Sequence, residues 1–160
     1  METKIDQKQK NYLKRLNELY KEVKKWTKTR ALVVKEKEVN LNEELLGQYK
    51  APGLLIIDKK GEKIAELQPV GAQIIGANGR VDVIGKLDQM YLVYLEPSGP
   101  RLTITEKVNN EETQRPSRPL FRGVDNPGWY WIESARLGRA RTVTEELFLD
   151  LLTEVSDYEG

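Results

Sequence analysis

Between Tyr12 and Trp26 the apolar residues recur at alternating intervals of four and three: Tyr12, Leu16, Leu19, Val23 and Trp26, with Leu13 and Tyr20 widening the stripe and Ile5 extending it backwards. That period predicts an amphipathic helix over residues 1–29. Gln9 interrupts the register, and the clean part lasts about two heptads, short of the three or four that sustain a coiled coil. The stripe has two uses: docking on the chain's own body, or a helical interface with a partner or second copy through Leu16, Leu19 and Val23. A second helical pattern closes the chain. Leu147, Phe148, Leu151, Leu152 and Val155 predict a helix within 142–157, and Thr142 stands at capping-box spacing from Glu145.

Between the helices the pattern changes to extended segments separated by turns, the mark of a mainly antiparallel sheet rather than of strand-helix-strand units. Ala31–Val39 reads as a strand, 41–49 as a short helix, and Leu54–Asp58 and Lys63–Leu67 as a hairpin about Asp58-Lys59-Lys60-Gly61. Ala77-Asn78-Gly79 predicts a second tight hairpin joining 72–75 to 80–84, because Asn-Gly supplies the positive φ angles of such turns. Met90–Leu95 is a strong strand, and Leu102–Val108 is placed beside it. Pro116, Pro119 and Pro127 predict a long loop over 109–128. Gly128-Trp129-Tyr130-Trp131-Ile132 has the alternation of a strand covered on both sides.

The expected fold is therefore α+β: one domain over 1–160, with a curved antiparallel sheet or partly open barrel as a β-rich body over 31–133, and a helix at each end packed on it. A chain of 160 residues can bury one core without a disulfide or metal. It contains no cysteine and no histidine. That excludes thiolate nucleophiles, sulfur-ligated zinc and histidine-dependent triads, leaving carboxylates, Lys, Arg and hydroxyls for any chemistry. No apolar run approaches the length of a membrane span, and no signal-peptide core follows the first residues, so a cytoplasmic location is expected.

The net charge of +1 hides an asymmetry. Residues 1–30 carry ten Lys and Arg against four acids, whereas residues 143–160 carry six acids and no base. Oppositely charged terminal helices could pair within one chain or between two. Arginine gathers elsewhere: Arg115, Arg118 and Arg122 in the predicted loop, then Arg136, Arg139 and Arg141 beyond the next strand. Guanidinium forks suit carboxylates and phosphates, which makes these six a candidate anion- or partner-binding surface. Trp129 and Trp131, if exposed together, would form a stacking platform.

No phosphate loop, dinucleotide fingerprint or nucleophile elbow is present. One constellation remains: Gly79-Arg80-Val81-Asp82-Val83-Ile84-Gly85 followed by Tyr91-Leu92-Val93-Tyr94-Leu95-Glu96. It resembles restriction-endonuclease-like nucleases, in which an Asp on one strand and a Glu-x-Lys on the next hold magnesium. The resemblance implies Asp82 and Glu96 as metal ligands, with Glu44 as a further carboxylate. Ser98 occupies the position of the family's lysine, which implies a degenerate site. Two functional expectations follow: a non-enzymatic binding or self-associating domain with no cofactor, or a magnesium-dependent phosphodiesterase-like fold. Nucleic-acid binding is a third.

Overall fold

The computed structural model describes residues 3–72, 77–97, 101–102, 105–108, 111–114, 118–119, 122–134 and 138–159. Helix α1 runs over Lys4–Lys28 and is opened by a complete capping box, Thr3 accepting from the Asp6 N–H while Asp6 accepts from that of Thr3. Its end is a Schellman arrangement: the Leu32 N–H donates to Thr27 O, the Ala31 N–H to Lys28 O, and Ala31 takes a left-handed φ of 58°. Helix α2 spans Glu145–Val155. Its cap is Thr144, whose hydroxyl accepts from the Leu147 N–H; the expected cap, Thr142, belongs to the preceding strand.

Seven strands form one open antiparallel sheet: β1 (Val33–Glu43), β2 (Gly47–Ile57), β3 (Lys63–Gly71), β4 (Arg80–Gly85), β5 (Gln89–Leu95), β10 (Gly128–Ser134) and β11 (Arg139–Thr142), hydrogen-bonded in that order. The α+β expectation with an open curved sheet agrees with this architecture. Between β5 and β10 lie β6 (Arg101–Leu102), paired with β9 (Arg118–Pro119), and β7 (Thr105–Val108), paired with β8 (Glu111–Gln114).

Four local expectations are corrected. Residues 41–49 are not helical; they form the end of the long β1–β2 hairpin, where Leu41 pairs with Tyr49 around a turn at 44–46. Both Leu41 and Leu46 are buried there, and Gly47 adopts the positive φ that lets the chain reverse. Asn78 and Gly79 do not make a tight hairpin. The Asn78 N–H donates to Tyr94 O and Gly79 O accepts from the Tyr94 N–H, so they prolong the β4–β5 ladder; the partner of β4 on its other side is β3. Of the expected strand at 72–75, residues 73–76 lie outside the described residues. The edge of β5 expected for 102–108 is taken by β10, whose aromatic strand has apolar residues for both faces. Finally, the expected loop 109–128 includes β8 and β9.

Two apolar clusters lie on opposite faces of the sheet. Both helices cover one face, where Tyr12, Leu16, Leu19, Tyr20 and Val23 of α1 and Phe148, Leu151, Leu152 and Val155 of α2 meet Leu54, Ile56, Leu67, Val81, Val83 and Leu92. The other cluster is smaller: Val93, Leu95, Tyr130, Ile132 and Ala140, with Ala77 and Val124 against it. Pro69 is tolerated in β3 because the β2–β3 ladder has already ended at Leu54 and Leu67. Among the described residues no helix is long and apolar enough to cross a membrane.

Candidate functional site

Asp82 stands at mid-strand in β4, opposite Tyr91 on β5 and Gln68 on β3. Its neighbours Val81 and Val83 point to the helical face, so the alternation of the strand puts Asp82 on the other. The carboxylate accepts from Arg80 Nε at 2.8 Å and from Gln89 Nε2 at 2.9 Å, while the Arg80 guanidinium lies 4.6 Å from the Tyr91 ring centre. Glu96 follows β5 directly and pairs with Arg15 of α1 at 3.2 Å. Arg15 is itself held over the Tyr94 ring at 4.2 Å and donates to Asn78 O.

The structure does not bring the three nuclease-type carboxylates together. Asp82 is in register with Tyr91, so Glu96 is five residues farther along the same strand pair, roughly 16 Å at the rise of a β-strand. Two ligands of one divalent ion must each come within about 2–2.6 Å of it, which this separation forbids. Glu44 is exposed in the β1–β2 turn. Among the described residues no group of three or more acids is placed to hold a metal. The donor set implied by the resemblance therefore does not fit magnesium.

The aromatic platform is also absent as a pair. Trp129 is buried on the helical face, donates its indole N–H to Arg15 O at 3.0 Å and meets Tyr94 edge-on, with ring centres 5.7 Å apart. Trp131, two residues on, is half-buried against the same cluster. Leu16, Leu19 and Val23 are buried beneath α1, so the face expected for an interface is occupied by the chain's own sheet.

Of the six arginines, Arg122, Arg139 and Arg141 come together at the β11 edge. Glu133 pairs with Arg139 at 3.6 Å and Arg141 at 3.8 Å, and Arg122 bridges to Arg139 through the backbone. All three are exposed. Arg118 lies in β9; Arg115 and Arg136 lie outside the described residues.

The tyrosines Tyr12, Tyr20 and Tyr49 have phenol pKa values raised far above the ordinary range, first of all by burial. Tyr12 donates to Arg80 O, Tyr20 to Pro52 O and Tyr49 to Glu43, whose carboxylate also accepts from the Ala72 N–H. Tyr12 and Tyr20 are core residues and Tyr49 is half-buried, and each phenol is satisfied by an acceptor within the chain. A groove of about 480 Å³ lies elsewhere, between α1 and the β1–β2 hairpin, lined by Leu13, Asn17, Glu36, Glu38, Lys50 and Pro52.

The opposite charge of the ends is visible in the sequence; its placement on one side of the sheet is not. Opposite its buried stripe, α1 presents Lys14, Lys21, Lys25 and Lys28, all exposed and at helical spacing, interrupted by Glu18. Opposite its own stripe α2 presents Glu146 and Asp150, with exposed Glu154 continuing the series along its flank. The helices share one sheet face and touch through Trp26 and Phe148, with ring centres 5.7 Å apart. No family model, no curated protein and no solved structure matches the chain.

Proposed function

We propose that this chain is a non-enzymatic interaction domain that engages a protein partner through its layer of two helices. One observation carries the reading: α1 turns a mainly basic stripe, broken by Glu18, to solvent and α2 an acidic one, whereas Asp82 and Glu96 are engaged by Arg80, Gln89 and Arg15 within the chain. Charge that serves only solubility is usually mixed in sign across a face. Here the balance differs by helix, basic on α1 and acidic on α2. The arginine edge at Arg122, Arg139 and Arg141 is a second candidate contact for the same purpose. A cytoplasmic setting belongs to the proposal, since the chain has no cysteine to oxidise.

A photo-crosslinking side chain at Glu18 tests this directly, with one at Tyr91 on the opposite sheet face as control. Protein adducts at position 18 and not at 91 are expected. Adducts at 91 alone would move the working surface to the sheet. For the phosphodiesterase alternative the check is calorimetry: magnesium or manganese binding that disappears in Asp82→Ala would reinstate it. Nucleic-acid binding would use the same lysines and must show affinity falling steeply with salt.

A further inference from the structure

We infer that the partner of the helical layer is a second copy of this chain, turned so that the lysine stripe of each α1 lies against the acidic stripe of the other copy's α2. The inference rests on the interaction-domain reading and makes it specific.

Complementarity is the first ground. Lys21, Lys25 and Lys28 cover two turns of α1, and Glu146, Asp150 and Glu154 cover two turns of α2, about 10 Å and 12 Å at the rise of an α-helix. The stripes match in length as well as in sign. Within one chain they do not meet each other. Both point away from the same sheet face, and Arg15 and Lys24 of α1 pair with Glu96 and Glu36 of the sheet. Lys86 pairs with Asp157, just past the end of α2.

Symmetry is the second. A two-fold axis lying between the helices, in the plane of the contact, places each α1 over the opposite α2. Both charge pairings then form at once, and the assembly closes as a dimer. With a net charge of only +1, two copies also approach without long-range repulsion.

A polyanion fits this layer less well. A phosphate backbone lying over the lysines of α1 would run beside Glu18 and the acids of α2, and the stripe contains no arginine fork.

Sedimentation velocity on the full chain tests the inference. A dimer is expected at about 0.05 M salt, with its dissociation constant raised at least tenfold at about 0.5 M, where charges are screened within a few ångströms. The double variant Lys21→Glu/Lys25→Glu and the double variant Glu146→Lys/Asp150→Lys should each weaken self-association at least tenfold, because like charges then face each other. An equimolar mixture of the two should form a heterodimer, since both pairings regain opposite signs. All four positions are exposed, so unchanged melting temperatures certify folding. A monomer at every salt concentration overturns the inference, as does a dimer that ignores both reversals or a monomer that binds nucleic acid instead. In those cases photo-crosslinking at position 18 still decides whether a different protein uses the layer.

Discussion

Helices α1 and α2 lie on one face of the same sheet and both begin at a capping threonine, yet they are held differently. Helix α1 docks with polar keys set into its apolar stripe: Tyr12 Oη reaches Arg80 O at 2.6 Å, and Tyr20 Oη reaches Pro52 O at 2.7 Å. Each key has one acceptor, so the register of α1 on the sheet is specified as well as its burial. The buried stripe of α2 is wholly apolar, and its fixed point is a backbone clamp. Val155 O accepts from the N–H groups of both Leu87 and Asp88 and lies where a side chain on Gly85 would stand. A long polar helix needs directional contacts to choose its position, whereas a short apolar one needs mainly surface to cover and a stop.

Substitutions at buried positions should break this comparison most severely. Leu16→Asp puts a charge where exposure is 0%, and a loss above about 4 kcal/mol is expected, enough to unfold the domain. Lys21→Asp on the outward face of the same helix should stay within about 0.5 kcal/mol. Urea midpoints measure both; similar losses would mean that α1 is not docked as described. On the other helix, Phe148→Ala should cost about 3–5 kcal/mol.

Gly85→Val separates the helices by locality. A Cβ at residue 85 would come 2.1 Å from Val155 O and 2.8 Å from Val155 Cγ2, so α2 has to shift or release its end. Overpacking of this kind costs about 1–3 kcal/mol. Hydrogen exchange should accelerate in the amides of 147–155 while those of α1 remain protected. Equal acceleration in both would show that the two helices dock as one unit.

The tyrosine keys respond to pH. Burial raises the phenol pKa of Tyr12 and Tyr20, so the folded state favours their neutral form. Their contribution is complete below the unfolded phenol value of about 10 and is lost as pH rises above it, because the unfolded chain ionises first. Near neutrality, no histidine adds a slope. Tyr20→Phe should cost about 1–3 kcal/mol by leaving Pro52 O without its donor, and should flatten the fall in stability above pH 10. Chemical denaturation between about pH 7 and 11 checks both effects.

The helices were legible in the sequence because a period of 3.6 needs only local residues. The sheet was legible where alternation was clean, as at Met90–Leu95. Residues 41–49 were not, since Glu43-Glu44-Leu45-Leu46 favours a helix locally and only pairing with β1's own partner strand overrides it. Strand β11 has no apolar alternation to announce it; it exists because β10 offers a free edge. The same limit applies to the site. Asp82 and Glu96 look adjacent along the sequence, and their separation follows from strand register, which turns and long-range pairing decide. The charge stripes could have been found from the spacing of Lys21, Lys25 and Lys28, but which face they share required both helices in place.

The smallest expected effect sharpens how α1 ends. A Schellman end places its left-handed residue where glycine is usual, and Ala31 fills that place with a φ of 58°. The absence of glycine there is also why no stop signal marked the end of the helix. Alanine pays a steric penalty in this region that glycine does not, so Ala31→Gly should relieve strain in the folded state. Against this, glycine loosens the unfolded chain, an opposing effect of about 0.4–1 kcal/mol. The left-handed penalty of roughly 1–2 kcal/mol exceeds it, and a net gain of about 0.5 kcal/mol is expected. Ala31 is exposed, so no lost packing offsets the gain. A rise in melting temperature of about 1–2 °C supports the assignment. A fall would show that the freedom glycine gives the unfolded chain outweighs the left-handed penalty at Ala31.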